Sequence, residues 1–271
     1  MPIIQLFFFL SALSPLAEAS LPPFRIVIDP GHGGTDQGTI YSDTHLGVRV
    51  AEKDLTLLLA RQVARQLKSK GIQVSLTRDR DREVPLPERT ALANRLGADA
   101  FLSIHMNSNP LGVFTGGPAP EGIETFILNN ATDASSRRLA RLENSVISMK
   151  PADERDVALI LKDLRLDANL SESKKLACSV QTSLISAQAK VRNRGVKQAL
   201  FHVLLGADMP SILVEAGFLS SARDRGLVLS PKGRRKIASA IAEAVERYRR
   251  EKIGASEATQ TRSELSSCKV N

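Results

Sequence analysis

Asp29-Pro30-Gly31-His32-Gly33-Gly34 follows directly on the apolar run Arg25-Ile26-Val27-Ile28, which puts a histidine in a glycine-rich turn at the end of a buried strand. Ser103-Ile104-His105 and Leu213-Val214-Glu215 close two further apolar runs in the same way. In an open α/β sheet the carboxyl ends of the strands share one edge, and ligands bind in the crevice there. His32, His105 and Glu215 are therefore expected near one another, with Glu52 delivered by the amphipathic helix it opens. Two histidines and a carboxylate form a catalytic zinc set with the fourth position left open. A spare glutamate beside such a set is a general base. The residues point to zinc-dependent hydrolysis. At this stage the third ligand is open between Glu52 and Asp54, because an acid at a helix N-terminus is also stabilised by the helix dipole alone.

Other chemistries fit less well. A glycine-rich turn after a strand can cradle phosphate, but the Gly-Lys-Ser/Thr ending and GxGxxG are both absent. Neither Cys178 nor Cys268 has a CxxC partner, which excludes a thiolate zinc site by spacing. His45 falls in a polar loop and His202 within a strand-like run, so both read as structural. Asn107 is placed to support His105 from outside the ligand set. Glu215 ends an apolar strand, where a carboxylate is costly unless it is paired or used.

The elements that must position these residues can be read from periodicity. Six apolar, β-branched runs predict strands at Arg25–Ile28, Gln73–Thr77, Ala100–Ile104, Ile123–Leu128, Leu200–Leu204 and Ser211–Glu215. Several are continuous rather than alternating, as strands covered on both faces are. Leu55, Leu59, Val63 and Leu67 mark one helix, stopped by Gly71. A second starts near Pro87 and ends at Gly97, and the last begins at Ser230-Pro231, a serine cap with proline in the first turn. The alternation predicts an α/β fold: a mixed, mostly parallel sheet of about six strands with helices on both faces. From Asp133 to Gln188 no strand intervenes, and the pieces Ser135–Ile147 and Val157–Leu166 read as a helical insertion over 133–170. The polar stretch 254–271 has no period and is expected to be disordered.

The apolar run that starts at Ile3 and ends in Ala17-Glu18-Ala19-Ser20 fits a secretory signal peptide over 1–19, although no Lys or Arg precedes it. Export to the periplasm or cell envelope is the expectation, with no transmembrane anchor after cleavage. The formal charge of +8 suits an anionic envelope, while 4% aromatics and no tryptophan argue against a surface that stacks bases. No nucleic-acid partner is expected. Cys178 is expected as a buried free thiol, with a Cys178–Cys268 bridge as the alternative in an oxidising compartment.

Taken in order, Ile28-Asp29-Pro30-Gly31-His32-Gly33-Gly34, Glu52-Lys53, Thr77-Arg78-Asp79, Glu88-Arg89 with Asn94, Ser103-Ile104-His105 and Val214-Glu215-Ala216-Gly217-Phe218 resemble one family. It is the zinc-dependent N-acetylmuramoyl-L-alanine amidases of bacterial cell-wall remodelling and division. The resemblance spans residues 24–249. It implies that His32, Glu52 and His105 hold Zn2+, that Glu215 is the catalytic glutamate, and that peptidoglycan stem peptides are the substrate. Met106 and the long spacer Ile40–Val50 depart from the family pattern without touching a ligand.

The insertion also resembles the autoinhibitory segment of division-associated amidases, which implies a protein activator. Glu143 stands in the apolar stripe of its first piece, four residues from both Leu139 and Ile147, where a carboxylate needs a cation. It is read as a fourth ligand that closes the zinc site, with Glu154 or Asp156 as alternatives. The competing reading is an acid at the edge of the stripe that reaches Arg137, Arg138 or solvent. Two other functions compete with the amidase: another envelope zinc peptidase or deacetylase, and a non-catalytic envelope-binding module. The absence of HExxH and the presence of all four site residues count against them.

Overall fold

The structure, a computed structural model, describes residues 23–45, 47–107, 120–145, 164–188, 190–257, 268 and 270. Six strands form one sheet in the order β4-β1-β5-β8-β6-β7. They are β1 (Arg25–Pro30), β4 (Gln73–Leu76), β5 (Ala100–Asn107), β6 (Ile123–Leu128), β7 (Asn193–Ala199) and β8 (Ser211–Phe218). The first four in that order run parallel, while β6 is antiparallel to β8 and β7 follows β6. A separate hairpin, β2 (Ile40–Asp43) with β3 (Val48–Ala51), leads straight into helix α1 (Glu52–Ser69). The spacer at Ile40–Val50 is thus a folded ribbon. The signal-peptide run at 1–19 lies outside the described residues, and among the described residues no helix is long and apolar enough to cross a membrane.

Side-chain alternation divides the sheet into two faces. Ile26, Ile28, Leu102, Ile104, Ile212 and Val214 pack against α1, α4 (Leu164–Ser186) and α6 (Pro231–Glu257). Val27, Phe101 and Leu213 pack on the other side, with α2 (Leu86–Arg95), α3 (Ala134–Asn144) and a short 3-10 turn at His202–Leu204. Parity then decides where the chemistry sits. His105 shares a face with Phe101, and Glu215 with Leu213, so both belong to the α3 side at its carboxyl edge.

The helices obey their local signals. Leu55, Leu59, Val63 and Leu67 are buried along one stripe of α1, and Gly71 takes the left-handed φ of 72° that ends it. Ser230 Oγ accepts from Gly233 N at 2.8 Å at the head of α6. A short helix α5 (Ala222–Leu229) precedes it.

Three expectations are corrected. Leu200–Leu204 is not a strand. The sixth strand is the preceding Asn193–Ala199, an edge strand whose Arg194 and Lys197 hide it from a search for apolar runs. Leu200–Leu204 is apolar because Phe201, Val203 and Leu204 fill the α3-side core. Cys178 is not a free thiol. It is bridged to Cys268 with Cα atoms 5.9 Å apart, joining α4 to the C-terminal segment. Structure also continues past Gly254: α6 runs to Glu257, and Val270 bridges Val196 on the β7 edge. Of the insertion, Ala134–Asn144 forms α3, while most of Val157–Leu166, with Glu154 and Asp156, lies outside the described residues.

Candidate metal centre

His32 is the only non-glycine residue with positive φ among the described residues, at 63°. Such a backbone costs about 1–3 kcal/mol and persists where surrounding structure enforces it. Its Nδ1 lies 2.8 Å from Asp36 Oδ2, which fixes the ring and leaves Nε2 facing inward. Gly38, also at positive φ, lets the chain pass close by. A Cβ there would fall 2.6 Å from His32 Cδ2 and 2.7 Å from Glu52 Oε2. Gly31 gives the same room to the His105 ring.

Glu52 is the first residue of α1 and is fully buried. Its Oε2 accepts from Thr39 N and its Oε1 from Met106 N, both at 2.8 Å. Two elements far apart in sequence therefore hold one carboxylate rigid. Oε1 then sits 3.1 Å from His32 Nε2 and 3.3 Å from His105 Nδ1. From the opposite side α3 inserts Glu143, with Oε2 at 3.3 Å from His32 Nε2 and 3.0 Å from His105 Nδ1. Glu143 is 7% exposed, so it is no surface acid reaching Arg137 or Arg138.

His32, Glu52, His105 and Glu143 each offer one donor atom, all within 4.8 Å of one another. Yet His32 Nε2, His105 Nδ1 and Glu143 Oε2 make no hydrogen bond among the described residues. Buried polar atoms that approach at 3.0–3.3 Å without bonding each other face a common centre. Tetrahedral zinc, with ligand distances of about 2.0–2.2 Å, would separate neighbouring donors by about 3.3–3.6 Å. The donor set fits such an ion in type, count and spacing.

The electrostatics agree. Burial alone would lower both imidazoles, but Glu143 raises His105 to about 10, and Glu52 and Glu143 raise His32 well above its ordinary value. Two buried carboxylates thus demand two positive charges, which a dication supplies with both rings neutral.

Glu215 stands in register opposite His105 but is not one of the four converging donors. It is fully buried, and neither oxygen accepts a hydrogen bond among the described residues. Burial, reinforced by Glu143, Glu52 and Glu124 against the opposing pull of His105, pushes its carboxyl well above the ordinary range. A carboxyl raised in this way is suited to take up and hand on a proton during a reaction. Asp54 does not join the cluster, nor do His45 or His202. Asn107 does not support His105 either. It donates to Glu124 instead.

Sequence reading missed the frame beneath the site. Asp29 is fully buried and pairs with Arg89 Nη1 at 2.8 Å, while accepting from Thr77 Oγ1 at 2.6 Å and Ser103 Oγ at 2.8 Å. It ties β1, β5, α2 and the end of β4 together three residues before His32. Burial would raise its carboxyl, but Arg89 and the two hydroxyls hold it below its ordinary value. A depressed folded-state value stabilises above the unfolded value of about 3.9 and is lost as pH falls through the depressed one. Asp29→Ala should therefore cost about 3–5 kcal/mol near neutrality, with a narrowing gap to wild type in acid. Denaturant titrations at neutral pH and near about pH 3 check this. An equal gap at both would contradict it.

Comparison with known proteins places these motifs. The N-acetylmuramoyl-L-alanine amidase family profile matches residues 26–247. AmiA, an N-acetylmuramoyl-L-alanine amidase of Escherichia coli strain K12, is 34% identical over 240 residues, covering 86% of this chain and 79% of AmiA. AmiC of Neisseria meningitidis serogroup B is 36% identical over 228 residues, covering 82% of this chain but 52% of AmiC, about half its length. Among solved structures, the N-acetylmuramoyl-L-alanine amidase of Clostridium difficile 630 aligns with TM-score 0.61 at 32% identity, covering 83% of this chain and 96% of that one.

Proposed function

Because the chain belongs to the N-acetylmuramoyl-L-alanine amidase family, we propose that it holds one zinc ion through His32, Glu52 and His105 and cleaves the amide between N-acetylmuramic acid and L-alanine in peptidoglycan stem peptides. The observation that carries this reading is the convergence of buried, unbonded donor atoms on one point. Bound there, zinc would polarise the scissile carbonyl and stabilise the negative charge that develops on its oxygen.

The chain's own residues do the rest. Glu52, clamped by two backbone donors, and His32, oriented by Asp36, present fixed ligand atoms. Glu215 accepts the proton of the attacking water and passes it to the leaving L-alanine amine. Its raised pKa suits both halves of that cycle.

Glu143 gives the reading its regulation. Its carboxylate lies where a fourth donor would be, and α3 covers the same face of the sheet that carries His105 and Glu215. The docked helix excludes substrate, and a partner protein that binds the displaced form of α3 better than the docked one would activate the enzyme. The role is then cell-wall remodelling or daughter-cell separation under the partner's control. The Cys178–Cys268 disulfide supports work outside the reducing cytoplasm, in the periplasm or cell envelope.

If the docked form predominates by 99:1, Glu143→Ala should raise basal turnover by up to about 100-fold. Zinc-loaded wild type and variant are incubated with purified peptidoglycan, and the products are identified by mass. The account expects stem peptides with free L-alanine amines, released faster by the variant. Equal rates would remove the lid, and a different severed bond would remove the amidase reading itself.

A further inference from the structure

The carboxyl edge of the sheet continues past Glu215 to two cations that the proposed amidase chemistry does not use. We propose that Arg194 and Lys197, anchored on Glu124, form a subsite for a carboxylate of the stem peptide on the L-alanine side of the scissile amide. This rests on the amidase reading and names the acidic feature of the substrate that the site would take.

The order of strands sets the layout. β5, β8, β6 and β7 are neighbours, and they carry His105, Glu215, Glu124 and Arg194 in that order. Glu124 pairs directly across from Glu215, so the two carboxyls share a face. Glu124 is 3% exposed, and its Oε2 lies 2.7 Å from Arg194 Nε and 2.8 Å from Lys197 Nζ. Its Oε1 accepts from Asn107, the residue two beyond His105.

One carboxylate facing two cations leaves one positive charge over. Neutralising Glu124 needs only one of them. Asp133 at the head of α3 is within electrostatic reach of Lys197 but forms no ion pair with it among the described residues. Arg194 spends Nε on Glu124, and its terminal nitrogens make no hydrogen bond among the described residues. The guanidinium lies 5.0 Å from the centroid of Phe218, three residues beyond Glu215, in a cation–π contact. Both cations reach solvent, at 18% and 12% exposure, above a buried anchor. A planar guanidinium with free terminal nitrogens beside an ammonium is suited to a carboxylate.

Distance selects which carboxylate. Arg194 lies three strands from the proposed ligand His105, about 14 Å between backbones at a spacing of about 4.8 Å, and its own side chain reaches back one strand to Glu124. An extended peptide advances about 3.3–3.6 Å per residue. A peptide whose first amide is attacked at the metal would bring the acidic group of its second or third residue to Arg194.

The test uses two matched muramoyl-L-alanyl peptides that differ only in a carboxylate or a carboxamide at that acidic residue. Both are given to the zinc-loaded full chain carrying Glu143→Ala, and the released peptides are titrated calorimetrically against the same protein. The carboxylate substrate should be preferred about tenfold or more in kcat/KM, the scale of a hydrogen bond to a charged group. The difference should lie in KM, with tighter binding of the carboxylate product. Arg194→Gln, and separately Lys197→Gln, should abolish the preference while leaving zinc content unchanged. Equal cleavage of both peptides by the parent protein, or a preference that survives both substitutions, overturns the subsite and leaves the amidase reading standing. Cleavage of neither peptide overturns the amidase reading and the subsite with it.

Discussion

Glu215→Gln should keep a full complement of zinc and lose turnover by about 10²–10⁴-fold, the usual contribution of a general acid–base group. The residue lies beside the four converging donors without joining them, so its loss removes no ligand. It is also a fully buried carboxyl whose two oxygens accept no hydrogen bond among the described residues, a costly arrangement for a merely structural residue. The amide keeps the volume and removes the titrating group. The thermal midpoint should therefore not fall, and only kcat should. Elemental analysis and turnover of peptidoglycan on the same preparation separate the two roles. Near-normal turnover with zinc retained would mean that another group moves the proton.

His105→Ala should lose both metal and activity. His105 supplies one of three proposed ligands, and its ring contacts Glu52 and Glu143 at 3.3 and 3.0 Å. Removing it leaves two buried carboxylates with half their counter-charge. Asp36→Ala, which frees the His32 ring and the Gly38 amide but removes no ligand, should weaken zinc by the smaller factor of about 10–100-fold typical of supporting residues. The proton linkage has a definite sign. Without metal, burial would lower His105 but Glu143 raises it to about 10, so the ring is protonated at neutral pH and must shed that proton to bind zinc. Zinc affinity should rise with pH up to that value and fall as pH drops. Zinc added to chelated protein in weak buffer at neutral pH should release protons. Full zinc content in His105→Ala, or uptake without proton release, would exclude the assignment.

The core of the site was legible because its residues break local rules. A histidine after a strand, a second one after Ser103-Ile104 and a carboxylate closing Leu213-Val214 are each out of place in a buried run, and one sheet edge collects them. Glu143 announced itself in the same way, as a charge in an apolar stripe. What stayed hidden depends on partners distant in sequence. Glu124 lies within the apolar run Ile123–Leu128, and only the pairing of β6 with β8 brings it beside Glu215. Its partners sit on β7, an edge strand whose charges make it read as a loop. Asp36 carried a readable signal, an acid four residues after His32, but Asp29 needs Arg89 folded onto it to declare its role. The disulfide spans 90 residues and follows from the return of the C-terminal segment to α4, which no periodicity encodes.

The most direct measurement is a crystal structure of the zinc-loaded chain with anomalous diffraction recorded at the zinc edge. The account predicts a single strong peak among His32 Nε2, Glu52 Oε1 and His105 Nδ1, at about 2.0–2.2 Å from each. Glu143 should stand at the fourth position in the docked form. A peak elsewhere, or none with both histidines still facing the carboxylates, would contradict it.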